Sequence, residues 1–93
     1  MSEKAILIGV ITPKQNKNQT KEFLEELSFL ARTAGAEPIK KVTQKLFVPD
    51  NKTFIGKGKI DEVKQLVKKE KIELIIFDDD LTPLQFKNIE NIF

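Results

Sequence analysis

The chain has 93 residues, 40% of them hydrophobic and 32% charged, with a formal net charge of +2. That length fits one small domain and excludes a second full one. It contains no cysteine and no histidine, which excludes disulfides, Cys/His zinc sites, thiol nucleophiles and all imidazole acid–base chemistry.

Ala5 to Ile11 is a near-continuous apolar run, the pattern of a strand buried on both faces and so covered by helices on both. Thr12-Pro13 ends it, and Lys14 to Gln19 reads as a polar loop. From Thr20, apolar residues recur at helical spacing through Phe23, Leu24, Leu27, Leu30, Ala31 and Ala34. Thr20 is the expected N-cap and Gly35 the expected left-handed residue after the helix. Pro38 to Val48 reads as a second strand, with Lys40, Lys41 and Lys45 marking it as an edge. Pro49-Asp50-Asn51 makes a turn, and Phe54-Ile55 a short extended piece. Lys59 to Glu70 forms the second helix, with Ile60, Val63, Leu66 and Val67 inward and Asp61 and Glu62 in its first turn. Glu73 to Phe77 is a third apolar strand. Thr82-Pro83-Leu84-Gln85 then carries the signals of a helix start: N-cap, proline at the first position and a capping-box glutamine. Leu84, Ile89, Ile92 and Phe93 are expected to be buried, with Phe86 at the margin.

Strand alternating with helix three times predicts an α/β domain over residues 1–93: a small three-layer βαβαβα unit, with a parallel sheet flanked by helices. An apolar third helix running to Ile92-Phe93 suggests a piece of something longer, lacking a final strand. No apolar run approaches a membrane span, and Met-Ser-Glu-Lys is no signal-peptide start, so a soluble, cytoplasmic protein is expected.

In open parallel sheets ligands collect at the carboxyl ends of the strands. Three segments meet there: Thr12 to Gln19, Phe47 to Lys59, and Asp78 to Leu81. The second contains Thr53-Phe-Ile-Gly-Lys-Gly-Lys59, where Gly56 and Gly58 alternate with Lys57 and Lys59 before a helix. Glycines permit positive φ and close approach, and a helix start offers free N–H groups, so the junction suits an anion. It is not the phosphate loop of nucleoside triphosphatases, which has four residues between its glycines and Ser or Thr after the lysine. Two readings stand. In one, Gly56, Lys57, Gly58 and Lys59 hold a phosphate while Asp78 or Asp79 meets a ribose or a metal ion. In the other, Lys57 or Lys59 pairs with the aspartates and Asp80 caps the turn into the third helix.

No nucleophile accompanied by an oriented base is visible, so the chain by itself is not expected to be an enzyme. Charge points elsewhere. Residues 40–71 hold ten lysines against four acids, and residues 72–93 one lysine against five acids. The basic middle suits RNA phosphates, a solvated surface, or pairing with the acidic end. Arginine occurs once, and Tyr and Trp are absent, so backbone contact to structured RNA fits better than base reading.

A family resemblance rests on motifs spread along the chain. Ala-Ile-Leu-Ile-Gly-Val at 5–10, Glu-Glu-Leu at 25–27, Thr-Ala-Gly-Ala-Glu at 33–37, Val-Thr-Gln-Lys at 42–45 and Pro-Asp at 49–50 come first. The Thr53–Lys59 motif, Ile-Phe-Asp-Asp at 76–79, Leu-Thr-Pro-Leu-Gln at 81–85 and Asn-Ile-Glu at 88–90 follow. Together they resemble the N-terminal domain of the HflX family of ribosome-associated GTPases. The resemblance implies an α/β domain preceding a helical subdomain and a GTPase domain, with a further apolar strand after Phe93. It implies a parent protein that uses GTP and Mg²⁺, binds the large ribosomal subunit and its RNA, and splits or rescues ribosomes. The N-terminal domain would contribute to ribosome contact, act on its own GTPase domain, and in some members bind ATP. No phosphate loop of the GTPase type, Asp-x-x-Gly switch or Asn-Lys-x-Asp motif occurs in these 93 residues, so no bound cofactor is assigned to them.

Overall fold

The computed structural model describes residues 2–93. Its order is β1 (Glu3–Ile11), α1 (Lys17–Thr33), β2 (Ala36–Lys45), α2 (Lys57–Glu70), β3 (Leu74–Phe77) and α3 (Pro83–Ile92). The three strands form one parallel sheet in the order β2-β1-β3, so the α/β architecture matches the expectation.

β1 is central because it is the strand that can bear burial on both faces: Ala5 to Val10 are all buried. Pleating divides its side chains. Ile6, Ile8 and Val10 join Phe54, Ile55, Ile60, Val63, Ile72 and Ile89 in the main core, beneath α2 and α3. Gly9 points the other way, towards Thr20 and Leu24 of α1. The buried residues of α1 are Thr20, Leu24, Ser28 and Ala31. Three of these are small, and they let the helix lie close on the sheet.

β2 breaks register once, where Ala5 pairs with Pro38 but Ile6 with Lys40. Proline offers no N–H to the ladder, and an edge strand tolerates the bulge. Beyond it Lys41, Thr43 and Lys45 pair with Leu7, Gly9 and Ile11, which puts them on the face that α1 covers. The strand ends at Lys45, three residues before the expected limit, and leaves Phe47 81% and Val48 63% exposed.

Helix α1 begins at Lys17, with Asn16 as N-cap in place of Thr20. Asn16 Oδ1 accepts from Gln19 N at 2.9 Å, and Gln19 Oε1 accepts from Asn16 N at 2.9 Å. Thr20 lies inside the first turn, fully buried, and its hydroxyl donates to Asn16 O at 2.9 Å. Gly35 follows the C-cap with φ +94°, as expected of a helix stop. For α3 the capping box between Thr82 and Gln85 is formed. The helix buries Gln85 and Ile89 and rests Ile92 on the core. Leu84 and Phe93, expected inside, are 52% and 39% exposed because the inward face runs through positions 85, 89 and 92.

Candidate functional site

The helix after β1 covers one face of the sheet and the helix after β3 covers the other. The crevice outside the carboxyl ends of β1 and β3 is therefore the topological switch point, where such sheets bind ligands. It measures about 270 Å³, and Val10, Thr12, Lys14, Gln15, Asp78 and Asp79 contribute to its lining.

Asp78 is its buried charge, 6% exposed. Its N–H continues the sheet by donating to Ile8 O at 2.9 Å. Its Oδ2 accepts from Gln15 Nε2 at 2.7 Å and Val10 N at 3.3 Å. Gln15 Nε2 also lies 3.1 Å from Thr20 Oγ1 and 3.2 Å from Val10 O, so its two hydrogens are shared among three acceptors. Burial pushes the Asp78 carboxyl above the usual 3.8, against the pull of the Gln15 and Val10 hydrogen bonds, and the negative charge of Asp79 adds to the rise. Asp79 turns back on the loop, its Oδ1 accepting from Asp80 N at 2.8 Å. Among the described residues no group of three or more Asp and Glu is placed to hold a metal ion.

The glycine motif sits at the same edge in a form the sequence did not suggest. Helix α2 starts at Lys57, two residues earlier than expected, with Gly56 as an extended N-cap at φ −70°. Neither motif glycine has positive φ, since Gly35 is the one glycine that does among the described residues. The left-handed conformation falls instead on Phe54, at φ +66°. Ile55 N donates to Thr53 O across it, a γ-turn. The turn is held by its neighbours: Asp50 and Phe54 exchange two backbone hydrogen bonds of 2.9 Å, and Gln85 Nε2 donates to Asp50 O at 2.7 Å. Asp50 Oδ1 accepts from Lys52 N at 2.8 Å and Thr53 N at 3.0 Å, which lowers the carboxyl below its usual pKa. Phe54 is 2% exposed and meets Phe77 edge to face, with ring centroids 5.4 Å apart.

The first turn of α2 is therefore Lys57-Gly58-Lys59. No side chain caps it, and no acidic residue lies in it; Asp61 and Glu62 fall in the second turn. The Gly56 N–H donates to Gln44 Oε1 at 2.8 Å and is committed to the fold. Gly58 is exposed, and a Cβ added there would meet nothing within 4 Å. Lys59 pairs with Glu62 at 2.7 Å along the same helix. That corrects the expected lysine–aspartate pairing: the crevice beside Asp78 and Asp79 is lined by Lys14, not by Lys57 or Lys59. In the turn into α3 it is Asp79 Oδ1 that accepts, from Asp80 N, in place of an Asp80 cap, and Thr82 is the N-cap of α3 as expected. Gln15, the principal partner of Asp78, escaped sequence reading because its role is created by a contact 63 positions away.

A parallel βαβαβα domain with a helix start and a switch-point crevice at one edge is an open-sheet domain of the α/β class. A family model described as GTP-binding GTPase N-terminal matches residues 21–93. The chain is 48% identical over 90 residues to the GTPase HflX of Flavobacterium psychrophilum, covering 97% of this chain and 22% of that protein. It is 42% identical over 89 residues to the GTPase HflX of Caldanaerobacter subterraneus subsp. tengcongensis, and 32% identical over 90 residues to that of Escherichia coli. These alignments cover 96% and 97% of this chain, and 20% of each relative. The chain belongs to this family as an HflX-type N-terminal domain, and it spans about a fifth of the length of the relatives it matches.

Proposed function

We propose that this domain is the ribosome-contacting and regulatory part of a cytoplasmic HflX-type GTP-binding protein, and that Lys57, Gly58 and Lys59, which follow the Gly56 N-cap, meet phosphates of the large-subunit RNA. One observation carries the reading. The first turn of α2 holds two lysines at the positive end of the helix dipole, with a glycine between them for which the fold has no steric need. Each choice costs the helix about 0.3–1 kcal/mol. Local rules broken without a structural return mark functional positions; here an anion would offset the unfavourable lysine charges, and the missing Cβ of Gly58 would let it approach the backbone. A backbone phosphate would accept from the open N–H groups while Lys57 and Lys59 neutralise it. Hydrolysis of GTP belongs to the remaining four-fifths of the parent protein in this reading, and no residue of this chain takes a step in it. Pelleting of the full-length protein with large subunits tests the assignment. Lys57→Ala/Lys59→Ala should weaken binding and flatten its salt dependence, and unchanged behaviour in both would refute it.

The switch-point crevice supports a second reading, in which a nucleotide such as ATP or GTP binds with Asp78 or Asp79 at the ribose. Titration calorimetry with each nucleotide, with and without Mg²⁺, separates the two, since no heat at millimolar nucleotide removes this one.

The free edge of β3 supports a further element of the proposal. Leu74, Ile75, Ile76 and Phe77 are all apolar yet only half buried, and the strand pairs on one side with β1 alone. In the longer polypeptide another strand pairs there, and the completed sheet forms the platform against which the GTPase domain docks. Slower amide exchange at Leu74–Phe77 in a polypeptide extended beyond Phe93 than in residues 1–93 is the expected result, and equal exchange counts against it.

A further inference from the structure

We infer that single-stranded RNA binds a second surface of this domain, a lysine-rimmed groove between α1 and the end of β2, with Phe47 as its stacking platform. The inference rests on the RNA-contact reading above but uses none of the residues of the glycine motif.

The groove measures about 460 Å³ and has apolar walls formed by Pro13, Leu46 and Phe47, with Lys17 and Lys45 at its rim. A second furrow of about 290 Å³ shares Ile11 and Lys17 with it and adds Lys21 and Lys41. No acidic residue lines either depression. The grouping follows from two periodicities. Lys17 and Lys21 stand one turn apart on α1, and Lys41 and Lys45 share the face of β2 that α1 covers. All four are exposed, and none is in the salt bridge found among the described residues, which joins Lys59 to Glu62.

Phe47 decides between occupants. It is 81% exposed, the most exposed large apolar side chain among the described residues, and it directly follows Leu46, whose N–H makes the last ladder bond, to Ile11 O at 2.9 Å. The ring is therefore presented from a fixed base. An aromatic face beside a row of unpaired lysines is the pairing that single-stranded nucleic acid requires: a base stacks on the ring, and flanking phosphates meet the ammonium groups. A helical duplex would offer Phe47 no free base face along its length, because its bases are already stacked. An acidic peptide would satisfy the lysines but would leave the flat aromatic face without a specific partner.

The test uses the full-length protein and fluorescein-labelled dodecauridylate, read by anisotropy across a salt series. Phe47→Ala should weaken binding about tenfold. Lys17→Ala/Lys45→Ala should make the slope of log K against log salt less steep by about 1.4, at roughly 0.7 for each phosphate contact. Because Phe47, Lys17 and Lys45 are exposed, unchanged circular dichroism should accompany both losses. Wild-type affinity in both groove variants, with loss in Lys57→Ala/Lys59→Ala, would overturn the groove and leave the glycine-motif reading standing. No binding of dodecauridylate by the wild type would overturn the groove alone, since the glycine-motif reading stands or falls on pelleting with large subunits. Displacement of the RNA by oligoglutamate at equal molar concentration would overturn RNA as the occupant in favour of an acidic protein segment.

Discussion

Gln15 and Asp78 close the carboxyl edge of the sheet: Gln15 Nε2 lies 2.7 Å from Asp78 Oδ2 and links the loop after β1 to the end of β3. The contact explains how a buried carboxylate is tolerated at a rim that also carries Asp79 and Asp80. Its donors are neutral amides, so they solvate the charge without cancelling it.

Asp78 and Asp50 should therefore titrate with opposite signs. Burial raises the Asp78 pKa above 3.8, so the native state holds that proton more tightly than the unfolded chain does. Its contribution is fully present below the unfolded value and is lost as pH rises through the raised folded one. Asp50 is lowered, chiefly by hydrogen bonds from Lys52 N and Thr53 N; its contribution is present above 3.8 and lost as pH falls through the folded value. Asp78→Asn should thus gain stability relative to wild type between pH 3 and pH 7, whereas Asp50→Asn should lose it over the same rise. Thermal melts at the two pH values decide this. Parallel displacement of both variants would show that neither titration matters.

Gly9 should not accept even a methyl group. A Cβ there would stand 2.9 Å from Thr20 Cγ2, 3.0 Å from Asp78 Oδ2 and 3.2 Å from Leu24 Cδ1. Forcing α1 off the central strand in this way costs about 1–3 kcal/mol, measurable as a lower urea midpoint for Gly9→Ala. Adding Thr20→Ser removes the nearest methyl and should recover part of the loss. Failure to recover any would place the obstruction at Asp78 or Leu24.

The same packing shows where sequence reading succeeds and where it stops. β1 was legible because a continuous apolar run has one economical place, the sheet centre. The start of α3 was legible because Thr82, Pro83 and Gln85 each carry an independent signal for one boundary. The start of α1 was not, since Lys17, Asn18 and Gln19 face solvent and offer no apolar periodicity. The spacing of Asn16 and Gln19 was the available clue. At the site, the glycine motif was correctly expected at the carboxyl edge, but its conformation was not. Glycine signals positive φ, and here tertiary packing imposes that conformation on Phe54 instead.

Phe54 consequently offers a reversal of an ordinary ranking. Removing its ring should cost about 3–5 kcal/mol, including the edge-to-face contact with Phe77. Glycine normally destabilises more than alanine, but a non-glycine residue in the left-handed region carries about 1–2 kcal/mol of strain. Phe54→Gly should therefore melt higher than Phe54→Ala. The usual order, with alanine the more stable, would show that the turn relaxes when the ring is removed.

Gly58 should separate folding from binding. It occupies the first turn of an exposed helix, and nothing lies within 4 Å of an added Cβ. Alanine suits a helix better than glycine by about 0.5–1 kcal/mol, so Gly58→Ala should raise the melting temperature. Lys57→Glu should raise it as well, by placing a negative charge at the positive end of the helix dipole. If the turn meets RNA phosphate, both stabilised variants should bind large subunits less well, the first through a methyl group that holds the phosphate away from the N–H groups and the second through repulsion. A gain in stability with undiminished binding would mean that the two lysines and the glycine are tolerated rather than used, and the phosphate contact would have to move to the α1–β2 groove.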